Sequence, residues 1–243
     1  MAIRCQFFDF VVKCFRMAKA KIDFKKVLEE KKRVVWKEIQ KYLQKPLVLP
    51  RNLKIPRGYA QDIRFHQQIV LDYPQRQSKY VRPTLLILTV EAMGVSQQKA
   101  IRTAAAMQTS EDWILIHDDF MDGSLARRGK PTLHRIYGPE LAVNAGDSLN
   151  VIMWKILRDN EKILGASKAF ELMDEFHSML ARTVLGQTVE LAWIKENKTN
   201  LTDQDCFFII DGKTVYYSIA GPMRLGAIIA NATPRQLGLI YEF

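Results

Sequence analysis

A short acidic run in the middle of the 243-residue sequence has the residue types and the spacing of a metal site. Asp118, Asp119 and Asp122 close a predicted helix, which can end at Gly123. Asp118 and Asp122 are four residues apart, so a helix places both carboxylates on one face, about 6 Å apart along its axis. Hard oxygen ligands of this kind select Mg²⁺, which normally shares substrate phosphates. The run predicts a magnesium site, and an exposed acidic helix end is the alternative.

Basic residues lie on both sides of this acidic run in the sequence. Arg127 and Arg128 follow it, and Lys79 and Arg82 precede it. Arginine forks and lysine point charges are the side chains that hold phosphate oxygens. Acidic residues beside several cations therefore predict a diphosphate that is bound through Mg²⁺.

These segments resemble the motifs of the trans-isoprenyl diphosphate synthases, the family of the farnesyl and geranylgeranyl diphosphate synthases. They occur in the order that the family has. The matching segments are the aspartate-rich motif Asp118–Asp122, the arginine pair Arg127–Arg128 with Gly129, the segment Lys79–Pro83, and the pairs Gly146–Asp147, Gly186–Gln187 and Lys213–Thr214.

The resemblance implies a catalytic role for Asp118, Asp122, Arg127 and Lys213. The implied reaction joins isopentenyl diphosphate to an allylic diphosphate by ionisation, condensation and loss of a proton, with Mg²⁺ and cations stabilising the departing diphosphate. The implied product has about fifteen to twenty carbons, with geranylgeranyl diphosphate favoured, and the implied assembly is a homodimer. Contact with a membrane surface through the product is a further implication.

The resemblance also divides the predicted site residues among the ligands. It assigns Mg²⁺ to Asp118, Asp119 and Asp122, the allylic diphosphate to Arg127, Lys213 and Thr214, substrate binding to Gln187, and isopentenyl diphosphate to Lys79, Arg82 and Arg128. Trp113 and Ile114 precede the acidic run on the same helix, where the growing prenyl chain would extend. A large ring there predicts a short product, and simple packing of Trp113 in the core is the alternative.

The sequence departs from the family pattern at its end. The family has a second aspartate-rich motif beyond the Lys-Thr pair, and the sequence reaches Phe243 without a second acidic cluster. We expect one helical prenyl synthase domain over residues 17–243, incomplete at its C-terminal end, and an N-terminal extension over residues 1–16 that is unlike the family. A non-catalytic prenyl-synthase-like subunit is the alternative to the enzyme.

Two substitutions affect the predicted isopentenyl diphosphate site. Tyr80 occupies the place of an arginine in the family segment, and Glu111 stands where many members carry a histidine that contacts diphosphate. A carboxylate at that position repels phosphate unless it is protonated or paired with Lys79 or Arg82.

Long helical patterns must position these residues. Apolar residues and good helix formers recur near a 3.6-residue period, and alternating β-patterns are scarce. The segments are 63–71, 84–92, 100–121, 141–157, 170–194 and 207–230. The sequence therefore predicts an all-α antiparallel bundle of the isoprenoid synthase type, in which facing helices build the site.

The net charge of +10 invites a nucleic-acid partner, but its excess is confined to the N-terminal part. Residues 13–57 hold fifteen Lys or Arg against four acids, and their apolar residues recur at helical intervals. These cations predict the solvated face of an amphipathic helix rather than a nucleic-acid surface, and contact with anionic lipid or substrate phosphates is the alternative. Three cysteines, Cys5, Cys14 and Cys206, form no CxxC pair, which favours a reducing cytoplasm. No uncharged stretch is long enough for a membrane span.

Two other functions share parts of these motifs. Gly212–Thr214 resembles the end of a P-loop, but Phe207 stands where the first glycine is required. His117 and Asp118 could form the pair of a helical metal phosphohydrolase, although the other histidines lack metal-ligand spacing. Both readings stay weaker than the prenyl synthase reading.

Overall fold

The computed structural model describes residues 23–44 and 52–242, so the extension over residues 1–16, together with Cys5 and Cys14, lies outside the described residues. The described residues form an almost entirely helical bundle, as predicted. The helices are α1 (Phe24–Leu43), α2 (Ala60–Arg76), α3 (Val81–Ala92), α4 (Ile101–Met121), α5 (Leu133–Tyr137), α6 (Pro139–Arg158), α7 (Glu161–Leu164), α8 (Ala166–Lys195), α9 (Asp203–Ile209), α10 (Gly221–Ile229) and α11 (Pro234–Tyr241). Short 3₁₀ turns cover Arg57–Tyr59 and Gln97–Lys99, and a π-helical segment covers Ile210–Ala220. Among these described helices, none combines the length and the apolar character needed to span a membrane.

Helix α4 lies at the centre of the bundle and packs against α1, α3 and α6. Every residue from Thr103 to Asp112 is buried. The small side chains of Ala104, Ala105 and Ala106 allow neighbouring helices to approach α4 from several sides. A helix that is buried all round needs a partner inside the protein for each polar group that it carries.

Helix α1 has the amphipathic pattern that the sequence predicts. Val35 and Ile39 are fully buried in the core, while Lys25 and Lys37 are exposed. Lys31 differs from the predicted solvated face, because it is buried and its Nζ donates to Glu91 Oε1 at 2.7 Å. This lysine therefore ties α1 to α3 instead of facing solvent.

Two very short strands form a hairpin that the sequence analysis did not predict. Strand β1 (Ala126–Arg127) pairs antiparallel with β2 (Lys130–Pro131). Arg128 and Gly129 form the turn with φ of 52° and 77°, the left-handed geometry that suits two-residue hairpin loops. Strands of two residues are too short to leave an alternating pattern in the sequence. The hairpin fixes Arg127 and Arg128 beside the end of α4.

The predicted helix over residues 207–230 is divided into parts of different geometry. Helix α9 leads into the π-helical segment, and α10 follows it without a break. The wider turns of a π-helix often occur at functional sites. Lys213 and Thr214 both lie in this segment.

The close approach of α10 to α3 generates a stability prediction. A Cβ at Gly226 would lie 2.6 Å from the carbonyl oxygen of Leu86. Gly226→Ala should therefore lower the free energy of unfolding by about 1–3 kcal/mol, as overpacked cores do, measured by urea denaturation.

The matched control is Gly238→Ala in α11, where a Cβ would meet nothing within 4 Å. This change should be neutral or stabilise by up to about 1 kcal/mol, because alanine favours helix over glycine. Equal effects of the two substitutions would show that close packing at Gly226 does not matter.

Candidate active site

A cavity of about 350 Å³ lies between the C-terminal half of α4, helix α8 and the π-helical segment. Charged and polar groups line it beside Asp118, and apolar side chains line much of the rest. The lining residues include Arg82, Glu111, Trp113, Ile114, His117, Asp118, Leu180, Val184, Gln187, Leu191, Lys213, Thr214 and Tyr217. One cavity therefore combines a charged part with an apolar part.

The neighbouring carboxylates Asp118 and Asp119 have different surroundings. Asp119 is 1% exposed and accepts hydrogen bonds from Tyr73 Oη at 2.5 Å and from Arg127 Nε at 3.0 Å. A second guanidinium nitrogen of Arg127 also donates to it. Asp118 instead lines the cavity, where its Oδ1 lies 3.5 Å from Lys213 Nζ. Asp119 thus fixes Arg127, whose guanidinium lies 4.0 Å from Asp118.

Asp118 and Asp122 form the acidic pair of the site. Asp122 follows the last residue of α4 and is exposed. Burial raises the pKa of Asp118, and the charge of Asp122 raises it further, while Lys213 and Arg127 lower it. Because two carboxylates repel each other here, a bound cation is electrostatically favoured.

The donor chemistry of this pair fits Mg²⁺. In the part of the chain that the structure describes, three or more His, Cys, Asp or Glu side chains nowhere form a group that could hold a metal. Mg²⁺ does not require such a cage, because it usually takes one or two carboxylates and completes its shell with water and substrate phosphates. Asp118 and Asp122 fit that pattern.

Lys213 is held between two carboxylates on different elements. Its Nζ donates to Glu190 Oε2 at 2.5 Å and faces Asp118. Burial works against the charge of Lys213, but its contacts with Glu190 and Asp118 raise its pKa overall. Close packing makes this possible, since a Cβ at Gly186 would lie 3.0 Å from the backbone nitrogen of Lys213.

Glu190 is a site residue that the sequence analysis missed. It lies three residues after Gln187 on α8, and residues three apart share a helix face. That spacing was the available signal. Gln187 itself lines the cavity, and its Nε2 has no hydrogen-bond partner among the described residues.

The predicted isopentenyl diphosphate residues divide between solvent and ion pairs. Lys79 is exposed. Arg82 Nη1 donates to Glu111 Oε2 at 3.0 Å, and Arg128 Nη2 lies 2.7 Å from Asp112 Oδ1 and 3.3 Å from Glu111 Oε1. Burial raises the pKa of Asp112 to about 6, although Arg128 lowers it. Glu111 is therefore paired with Arg82, one of the two partners considered from the sequence, and also with Arg128.

Tyr80 does not replace the missing arginine of the family segment. Its side chain is 1% exposed, and its backbone has a φ of 57° at the start of α3. The ring is therefore packed inside the protein, where it adds no charge to the site.

The residues assigned to chain length both line the apolar part of the cavity. Trp113 packs edge-on against His117 with ring centroids 5.6 Å apart. His117 Nε2 is 3.1 Å from the carbonyl oxygen of Val143, and a side chain at Gly146 would overlap the imidazole. Gly146 thus leaves room for the ring that supports Trp113.

The fold and this combination of acidic pair, arginine hairpin and apolar cavity define an isoprenoid synthase bundle. The solved geranylgeranyl pyrophosphate synthetase from Pyrococcus horikoshii Ot3 shares the fold with a TM-score of 0.76 at 24% identity, covering 90% of this chain and 62% of that chain. A similar structure from the archaeon Geoglobus acetivorans has a TM-score of 0.74 at 21% identity, covering 88% of this chain and 64% of that chain.

The chain belongs to the polyprenyl synthetase family, whose model matches residues 64–243. It is 30% identical over 166 residues to the geranylgeranyl diphosphate synthase of Saccharolobus solfataricus, covering 68% of this chain and 49% of the relative. It is 29% identical over 233 residues to the farnesyl diphosphate synthase of Geobacillus stearothermophilus, covering 92% of this chain and 71% of the relative. The chain thus spans about half the length of several curated relatives that it matches.

The different surroundings of the aspartates generate a second prediction. Asp119→Asn should lower the free energy of unfolding by about 2 kcal/mol, because it leaves the guanidinium of Arg127 without its buried counter-charge. Asp122→Asn, in the same run but exposed, should change it by less than about 0.5 kcal/mol. Chemical denaturation measures both, and a larger loss for Asp122→Asn would contradict the assigned contacts.

Proposed function

We propose that this protein is a short-chain prenyl diphosphate synthase that joins isopentenyl diphosphate to an allylic diphosphate. The observation that carries the proposal is the cavity, in which Asp118 faces Lys213 beside Arg127 while Leu180 and Val184 add apolar surface. A diphosphate with a hydrocarbon tail likewise combines a charged part with an apolar part. The names of the relatives support a product of the farnesyl to geranylgeranyl class, with geranylgeranyl diphosphate favoured.

Asp118 and Asp122 would hold Mg²⁺ together with the allylic diphosphate. When bound, the metal supplies charge neutralisation for the departing diphosphate. Asp119, also assigned to the metal from the sequence, would contribute chiefly through Arg127, since its oxygens accept from that guanidinium and from Tyr73.

Lys213 and Arg127 would hold the diphosphate oxygens of the allylic substrate. Glu190 keeps the ammonium of Lys213 at the cavity, and Asp119 does the same for the guanidinium of Arg127. Fixed donors that face developing charge stabilise it without reorganisation during the reaction. Thr214 and Gln187 line the same cavity and would add hydrogen bonds.

Lys79, Arg82 and Arg128 would bind isopentenyl diphosphate. Arg82 lines the cavity that Asp118 also lines, so the two diphosphates would meet across one space. The apolar lining would shield the carbocation from water, which would otherwise capture it. The relatives' names favour this enzyme over a non-catalytic subunit. The same proposal includes a homodimer, a cytoplasmic location and membrane contact through the product. Sedimentation analysis tests the homodimer.

The proposal predicts metal-dependent ligand binding at Asp118. In calorimetry with dimethylallyl thiodiphosphate, which resists ionisation, Mg²⁺ should strengthen binding to the unchanged chain. Asp118→Ala should remove at least about tenfold of that gain, because the metal loses a carboxylate ligand.

Asp174→Ala, a change at an exposed position of α8, is the control and should keep the full magnesium effect. An unchanged magnesium effect in Asp118→Ala would remove the basis of the proposed function.

The apolar lining predicts a role for Trp113 in ligand length. Trp113→Ala removes a large ring from the cavity wall, so binding should shift towards longer allylic thiodiphosphates, and an active preparation should release longer products. Affinity for the geranylgeranyl analogue relative to the dimethylallyl analogue measures the first effect, and chromatography measures the second. If a folded Trp113→Ala protein keeps the original preference, the indole only packs in the core.

A further inference from the structure

Glu111 lies between two arginines that the proposed function assigns to isopentenyl diphosphate. Its Oε2 accepts from Arg82 Nη1 at 3.0 Å, and its Oε1 accepts from Arg128 Nη2 at 3.3 Å. One carboxylate thus bridges two guanidinium groups with its two oxygens. A phosphate group binds a pair of arginines in a similar manner, through separate oxygens.

Neither arginine depends on Glu111 alone for its position. Arg128 also contacts Asp112 Oδ1 at 2.7 Å and donates from Nη1 to the carbonyl oxygen of Tyr73 at 2.8 Å. Arg82 Nη2 donates to Ser218 Oγ at 2.8 Å, and its guanidinium lies 4.9 Å from the ring centroid of Tyr217. Removal of the carboxylate therefore leaves both guanidinium groups anchored.

The main effect of Glu111 is on charge. Lys79, Arg82 and Arg128 bring three positive charges, and Glu111 and Asp112 remove two of them. Glu111 is also largely shielded from water, with 10% of its side chain exposed, so solvent screens its pairing only weakly. An arriving diphosphate meets arginines that are already neutralised.

We infer that Glu111 is an internal competitor for the diphosphate of isopentenyl diphosphate, whose binding must displace this carboxylate from Arg82 and Arg128. The inference rests on the proposed function, because that function assigns the two arginines to this ligand. Glu111 then sets the affinity of the isopentenyl subsite, since every gain from the arginines is reduced by the broken ion pairs.

Glu111→Gln tests the competition with little change in side-chain shape. Isopentenyl diphosphate is titrated in a calorimeter with EDTA present and without an allylic substrate, so that neither magnesium binding nor turnover contributes. The affinity should rise by about tenfold or more, because the uncharged amide no longer competes for the guanidinium groups.

Glu161→Gln is the matched control. It makes the same change of net charge at an exposed position of α7, two residues after Asp159, whose carbonyl oxygen accepts from Arg102 near the start of α4. Glu111 lies about two and a half turns further along α4 than Arg102, so Glu161→Gln should leave the affinity unchanged. An equal rise in both variants would reduce the effect to net charge and overturn the inference.

Other outcomes also decide the matter. If Glu111→Gln binds isopentenyl diphosphate with an unchanged or weaker affinity, the inference is overturned, because the carboxylate would then position the arginines or serve another purpose. If neither the unchanged protein nor Glu111→Gln binds isopentenyl diphosphate detectably, the inference is overturned as well. If Glu111→Gln does not fold, Glu111→Asp replaces it, since the shorter carboxylate cannot bridge both arginines and should raise the affinity by a smaller factor. The magnesium effect at Asp118 is measured separately, so failure of this inference and failure of the proposed function are distinguishable.

Discussion

The need to compensate acidic groups on a buried helix governs this structure. Helix α4 carries Glu111, Asp112 and Asp119 into the bundle, where uncompensated charges would cost several kcal/mol each. Arg128 forms ion pairs with Glu111 and Asp112, and Arg127 forms one with Asp119. The hairpin therefore stands where it does because its two consecutive arginines must reach partners on the same helix.

The acidic residues of α4 and its end therefore fall into two groups. Glu111, Asp112 and Asp119 are paired with arginines, and Asp118 and Asp122 remain accessible to a ligand. Asp119 accepts hydrogen bonds from Tyr73 and Arg127, whereas Asp118 lines the cavity and Asp122 is exposed to solvent. The distinction rests on the rotation of α4 about its axis. One face of its last turns points to α2 and the hairpin, and the adjacent face points to the cavity between α8 and the π-helical segment.

Much of the fold follows from the sequence, since apolar periodicity and helix formers indicate each long helix. The motifs also indicate which residues share one end of the bundle. The pairing of Glu111 with both Arg82 and Arg128 does not follow, because it depends on the relative placement of α3, α4 and the hairpin. The role of Glu190 was open to a helix-face argument, but its contact with Lys213 needs the close packing of Gly186. The hairpin was hidden because two-residue strands have no detectable period.

The π-helical segment has a consequence for the orientation of the helix that follows it. Gly212, Tyr216 and Ala220 are buried at regular intervals of four, and Lys213 and Tyr217 line the cavity with the same interval. An α-helix would drift from such a repeat, because its turn takes 3.6 residues. The segment thus sets the rotation of α10 about the helix axis relative to α9. With about four residues per turn instead of 3.6, the 11 residues of the segment turn α10 about the helix axis by roughly 110° less than an α-helix of the same length would, so the cavity lining and the packing of α10 on α3 both depend on the wider turns.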